Sequence, residues 1–187
     1  MKKILILLII LSQLSIVNAQ ITISDVTMPK NVTLEGTKLS LNGAGLREKL
    51  WIDLYVAGLY VKTKTSDANT IINANEPASI KLEIVSSLIS SKKMIDAVNE
   101  GFKKATNKNT ASIKSYIEDF ITAFKEEIKV GDVYDINYSP KKGVSVLKNN
   151  KLVKAVGGNL TFKKALFGIW LGKDPADDDL KDGMLGE

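Results

Sequence analysis

Gly43-Ala44-Gly45-Leu46-Arg47 leads, after three intervening residues, into Trp51-Ile52-Asp53-Leu54-Tyr55-Val56-Ala57-Gly58-Leu59-Tyr60-Val61. The second part is rich in aromatic and β-branched residues and predicts one long strand over residues 51–61. Side chains alternate across a strand, so Trp51, Asp53, Tyr55, Ala57 and Leu59 are expected on one face. Ile52, Leu54, Val56 and Tyr60 fall on the other, where Gly58 leaves a gap. Both faces are largely apolar, which places the strand at the centre of a sheet with material packed on each side. Gly43 and Gly45 admit two readings: a turn entering that strand, or a loop where a ligand approaches the backbone with Arg47 beside it as a fixed cation. Arg47 and Tyr55 lie eight residues apart and share a face of an unbroken strand; a bulge changes that. A guanidinium fork and a phenol converging beside apolar residues suit a carboxylate or enolate oxygen. Asp53, between them, is the structural alternative as partner for Arg47.

Outward from this stretch, residues 21–28 alternate as a first strand that Pro29 ends, and residues 32–34 and 38–41 read as short strands around a Glu35-Gly36 turn. Ser66-Asp67 caps a short helix through Ile71 and Ile72, and residues 80–85 form a further strand. Ser90 or Ser91 starts a helix to about Thr106, with Met94, Ile95, Val98 and Phe102 on one stripe and Gly101 weakening its middle. Ile113, Tyr116, Ile117, Phe120, Ile121 and Phe124 recur at steps of three and four, the clearest helical pattern in the chain, read as core. Three strands follow as a meander (residues 133–138, 144–147 and 152–156), turned by Pro140-Lys141-Lys142-Gly143 and Lys148-Asn149-Asn150-Lys151. Asn159 caps a helix over residues 160–171 that Gly172 stops, and Asp177-Asp178-Asp179 opens a last short one. No repeat, linker or low-complexity segment interrupts this order. Strands, helices, strands, helices: the class is α+β, a mainly antiparallel sheet with helices layered on one face.

The first residues bear on the compartment. Lys2 and Lys3 precede an apolar run from Ile4, and Val17-Asn18-Ala19 has the form of a cleavage site. This predicts a signal peptide over residues 1–19, with residues 20–187 as one exported domain, periplasmic or secreted. A retained anchor helix is the alternative, weakened by Ser12, Gln13 and Ser15. After cleavage 24 basic residues face 21 acidic ones, a net of +3. That is too mild to indicate nucleic acid or an anionic membrane surface, and no stretch beyond the leader is long enough to span a bilayer. Without cysteine there is no disulfide or thiolate chemistry, and without histidine there is no Ser-His-Asp hydrolysis or imidazole acid–base step. No metal or cofactor site is expected. The acidic run at 177–179 fits a helix start and lacks the alternating spacing of an EF-hand loop. Gly157-Gly158 reads as a turn without a phosphate-binding lysine after it, and Lys92-Lys93 and Lys163-Lys164 read as solvated helix faces.

The segment 42–61, the helix pattern 91–102, the run 116–140 and Ala165-Leu166-Phe167-Gly168-Ile169-Trp170-Leu171-Gly172-Lys173-Asp174-Pro175 through Leu180-Lys181 resemble the chalcone isomerase superfamily. Within it they are most similar to the bacterial, exported, chalcone isomerase-like branch. The likeness covers nearly all of the chain after the leader, in the same order. It implies an open-faced sandwich, a large antiparallel sheet with helices over one face and a ligand cleft between. Plant members close a flavanone ring by intramolecular attack of a phenolate on an enone, and Arg47 matches the arginine that assists there. Asn99 matches a cleft asparagine. The remaining positions depart: the threonine beside the enone carbonyl becomes Tyr55, the cleft tyrosine becomes Lys92, and the pair contacting the far ring becomes Ile169 and Trp170. An arginine with a nearby tyrosine is similar instead to the plastid fatty-acid-binding branch, where such a pair holds the carboxylate.

The expectation is an exported, non-catalytic binding protein for a fatty acid or similar apolar carboxylate, contacted by Arg47, Tyr55, Lys92, Asn99, Ile169 and Trp170. An intramolecular lyase acting on an enone-like substrate through Arg47, Tyr55 and Asn99 is the first alternative. It needs a group placed for proton transfer, for which Tyr55 and Lys92 are the candidates. An interaction module with a vestigial cleft is the second, and requires an exposed apolar patch.

Overall fold

The computed structural model describes residues 21–187, so the leader, and the anchor alternative to it, lie outside the described residues. Seven strands form one antiparallel sheet in sequence order: β3 (Asn31–Leu34), β4 (Thr37–Lys49), β5 (Ile52–Val61), β6 (Ala78–Ile84), β7 (Val133–Ser139), β8 (Gly143–Lys148) and β9 (Lys151–Gly157). Five helices, α1 (Ala68–Asn73), α2 (Ser91–Ala105), α3 (Lys114–Ile121), α4 (Leu160–Leu171) and α5 (Asp178–Leu185), contribute to the main core on one face. The opposite face carries a smaller core of Val26, Met28, Leu39, Leu41, Ala44, Val56 and Tyr60. It is closed by a hairpin of β1 (Ile21–Ile23) and β2 (Val26–Met28). This is the α+β class that the patterning implies and the open-faced sandwich that the resemblance implies. No helix among the described residues is long and apolar enough to cross a membrane.

Capping follows local chemistry. Asp67, Ser90, Asn159 and Asp177 each accept a backbone N–H at the start of α1, α2, α4 and α5, which supplies orphan amides with partners. The helical stripe after Ile113 forms as predicted, although its ends, Ala111–Ile113 and Thr122–Phe124, tighten into 3₁₀ turns. Phe102, Phe120 and Phe162 from three different helices meet edge-on or stacked in the core.

Three expectations change. Residues 21–28 are two strands, because Ser24 and Asp25 adopt left-handed backbone and reverse the chain. Trp51 does not begin β5: Leu50 and Trp51, at φ 53° and 61°, are the two-residue turn joining β4 to β5, and Trp51 is 89% exposed. Gly43 and Gly45 are neither a turn nor a ligand loop. They lie within β4, opposite Leu59 and Ala57, and the backbone of α5 lies against them. A Cβ on Gly43 would overlap the Gly183 carbonyl, one on Gly45 would sit 2.9 Å from the Leu180 carbonyl oxygen, and one on Gly183 would sit 2.7 Å from the Ala44 carbonyl oxygen. Side chains are absent there so that helix and strand can touch backbone to backbone.

Candidate functional site

Two bulges decide what faces the helices. Up to Leu41 the odd-numbered residues of β4 point to the smaller core. The register then slips between Leu41 and Gly43, and Asn42 is the extra residue. Its side chain is held by the Thr65 backbone at both ends and by the Met184 carbonyl. Beyond it Gly43, Gly45 and Arg47 face α5 and the main core instead, since one inserted residue moves every later side chain across the sheet. A second slip makes Leu54 the extra residue in β5, so Leu54 joins Ile52 and Tyr55 beside the helices. The simple alternation expected at Ile52 and Leu54 fails for that reason. Arg47 and Tyr55 do share a face, as direct cross-strand neighbours rather than as residues of one strand.

Between this face and helices α2 and α4 runs an open cleft of about 650 Å³. Tyr55 and Leu82 contribute from the sheet, Met94, Val98 and Gly101 from α2, and Ile169 and Trp170 from α4. Leu50, Ile52, Leu88 and Ile89 line its outer part, with Lys49, Lys93, Asp96, Glu100 and Lys104 among the charged lining residues. Gly101, which weakens α2 by propensity, is there for approach: a Cβ would lie 2.8 Å from Cγ2 of Ile169. The volume is that of a small-molecule site, and the lining combines an apolar majority with several charged side chains.

The chain's one arginine stands in this cleft, partly desolvated. Nη1 of Arg47 donates to Oδ2 of Asp177 at 2.5 Å and to the Glu48 carbonyl at 2.9 Å. Asp177 is also the N-cap of α5, its Oδ1 accepting from the Leu180 amide at 2.9 Å. One carboxylate thus fixes both the helix start and the guanidinium, while Nη2 and Nε of Arg47 make no hydrogen bond among the described residues. Asp53 is not the partner of Arg47; it accepts from the Ser24 hydroxyl in the β1–β2 turn. Beside Arg47, the buried Tyr55 hydroxyl accepts from Nε1 of Trp170 at 3.1 Å, which leaves its own hydrogen free to donate. Burial pushes the Tyr55 phenol up, against the opposing effects of the Trp170 hydrogen bond and the Arg47 charge, with Asp177 adding to the rise. It therefore stays a neutral donor.

Of the residues expected at the site, Arg47, Tyr55, Ile169 and Trp170 come together in the cleft. Lys92 and Asn99 are not among its lining residues: Lys92 is exposed and pairs with Asp96 on the next turn of α2, and Asn99 is half-buried on the same helix. Lys93, one residue on, lines the cleft and bonds the Leu88 carbonyl. Asp177 went unnoticed in the sequence as anything but a cap, because its partner is 130 residues away. Lys163 is the plainest departure. Read as solvated, it is fully buried, and its ammonium donates to the carbonyls of Ile71, Ile72 and Ala74 at the end of α1 while lying over the Phe167 ring. Among the described residues no group of carboxylates could hold a metal ion, and the acidic run at 177–179 serves the helix start and Arg47.

The same fold occurs in a fatty-acid binding protein of Arabidopsis thaliana, whose crystal structure superposes with a TM-score of 0.69 at 18% identity, covering 89% of this chain and 96% of that one. No curated protein matches this chain. The family model described as "Chalcone isomerase-like" matches residues 19–186. That match spans nearly the whole sequence, so the chain belongs to the chalcone isomerase-like family.

Proposed function

We propose that this protein binds a fatty acid or similar apolar carboxylate without transforming it, the chain in the cleft and the carboxylate against Arg47 and Tyr55. The observation that carries this reading is the pair of unspent donors in the lining of a largely apolar cleft. Arg47 retains Nη2 and Nε, and Tyr55 retains its O–H, both held in place by partners that do not exhaust them. Charge-assisted hydrogen bonds of this kind contribute about 1.5–3 kcal/mol each. The Arabidopsis protein of the same fold carries the description fatty-acid binding, which supports the same ligand class.

The cyclising-enzyme reading has less support, because it needs a base near Arg47. Tyr55 is a phenol raised by burial and engaged by Trp170. Lys92 lies off the cleft, and Lys93 spends a donor on the Leu88 carbonyl. Calorimetric titration of straight-chain fatty acids tests the binding reading. Arg47→Ala is expected to weaken binding about tenfold to a hundredfold, Tyr55→Phe less. Arg47→Lys should restore it only in part, since an ammonium cannot reproduce a two-pronged contact. Equal affinity in wild type and Arg47→Ala would remove the site.

Export belongs to the same proposal and rests on the basic, apolar and small-residue order of residues 1–19. The expected mature N-terminus is Gln20; N-terminal sequencing that began at Met1 on membrane-bound protein would refute it.

A further inference from the structure

We propose that the β4–β5 hairpin tip docks on a lipid bilayer containing anionic lipid, with Leu50, Trp51 and Leu88 entering its interfacial layer and the cleft mouth turned toward it. Among the described residues the large apolar side chains that stand exposed are few, and four of them gather here: Leu50 at 75%, Trp51 at 89%, Ile52 at 40% and Leu88 at 48%. Leu50, Ile52 and Leu88 also line the cleft, so the patch and the cavity form one continuous apolar surface.

The turn itself argues that these residues are not there for folding. Left-handed backbone at both central positions of a tight turn favours Asn, Asp and Gly. The other such two-residue turns among the described residues, Ser24-Asp25, Glu35-Gly36 and Asn149-Asn150, each hold at least one residue of that kind and no large apolar one. Leu50-Trp51 alone places two large apolar residues in the same strained backbone, and then leaves both in water. Such a choice costs conformational energy and solubility without returning core burial.

A bilayer fits the shape, area and charge of the tip. Four partly exposed side chains present a few hundred Å², well short of the roughly 800 Å² per partner of a stable protein interface. A protruding Trp with flanking Leu and basic residues is instead the composition of a membrane-interface anchor. The charges divide by face. Lys49, which forms no ion pair among the described residues, lines the cleft side of the hairpin, as does Lys93 across the mouth. The acids Glu48 and Asp53 are cross-strand neighbours on the opposite face, where Asp53 is bonded to Ser24. The acids of α2 on the cleft side are Asp96, paired with Lys92, and Glu100; Lys104, also on that side, pairs with Asp174. The mild net charge of the chain gives no hint of this; the local arrangement does.

The test uses ligand-free protein, so that its failure leaves the Arg47 site untouched. Flotation with phosphatidylcholine vesicles and with vesicles of equal phosphatidylcholine and phosphatidylglycerol is expected to carry wild type, more strongly with the second. Trp51→Glu should lower the bound fraction about tenfold or more, whereas Leu152→Glu, at an exposed apolar position on β9, should not. In wild type, brominated lipid should quench Trp51 while the buried Trp170 emission persists, a readout that needs no variant. Absence of wild type from both vesicle fractions, or Trp51→Glu floating as wild type does, would overturn the proposal.

Discussion

Lys163 and Arg47 are both cations drawn out of water onto the same face of one sheet, and their partners set them apart. Three backbone carbonyls surround the Lys163 ammonium, as many acceptors as it has hydrogens, and two aromatic rings lie against it. Arg47 has five N–H groups and, among the described residues, spends one nitrogen, on Asp177 and Glu48. A saturated buried charge is a structural part, here one that satisfies carbonyls at the C-terminal end of α1. A charge fixed in place with donors left over, beside an open cleft, has what a binding group needs, which is the role proposed for Arg47. Burial alone does not separate the two; the count of spent donors does.

The largest expected effect breaks the structural member of the pair. Lys163→Met keeps the volume and removes all three hydrogen bonds, leaving carbonyls of α1 unpaired in the core. We expect a loss of about 3 kcal/mol in urea unfolding, with fatty-acid affinity unchanged. Loss of affinity with stability intact would mean that the two cations have been assigned the wrong way round. The same variant carries a pH signature. Burial lowers Lys163 to about 8 from 10.5, the like charge of Lys164 adding to the shift. Between those values the unfolded chain holds the proton and the folded one releases it, so stability contributed by this group rises with pH across the window. The stability difference between wild type and Lys163→Met should therefore grow from pH 8 to 10.5, and a flat difference would show that the carbonyls hold the ammonium charged throughout.

A smaller effect is expected where α5 meets β4. Gly43→Ala forces the helix off the strand at Gly183 and should cost roughly 2 kcal/mol by overpacking. Because Asp177 begins that helix, the displacement should also loosen the Arg47 ion pair, seen as a changed salt dependence of fatty-acid binding. Smallest is Asp177→Asn. Asparagine still caps the helix, but it no longer offsets the guanidinium charge, so carboxylate affinity should rise about threefold to tenfold with little change in melting temperature. A fall in affinity would show that Asp177 does more by orienting Arg47 than it costs by neutralising it.

How much of this was legible follows the range of the interactions. Caps, turns and stripes are written within a few residues, and Asp67, Ser90, Asn159 and the helical repeat from Ile113 to Phe124 all stand where local pattern put them. Arg47 and Tyr55 could be paired on a face only by assuming one strand; the turn at Leu50-Trp51 was hidden because neither residue is a turn former. The bulges at Asn42 and Leu54 have no local signature, yet they decide which side chains see the cleft. Asp177 and Lys163 find their partners 130 and about ninety residues away, and a glycine that admits a helix looks in sequence like a glycine that makes a turn. Contacts set by tertiary approach were the unreadable part.

The central claim is that Arg47 recognises a carboxylate while the cleft takes the apolar chain. Its most direct test is a cycle: one fatty acid and its methyl ester, each titrated calorimetrically into wild type and Arg47→Ala. The ester keeps the chain and loses the charge. The account requires the acid to bind wild type about tenfold to a hundredfold more tightly than the ester, and that gap to collapse in Arg47→Ala while ester affinity stays level. An acid and ester that bind wild type equally, or a gap that survives the loss of Arg47, would contradict it.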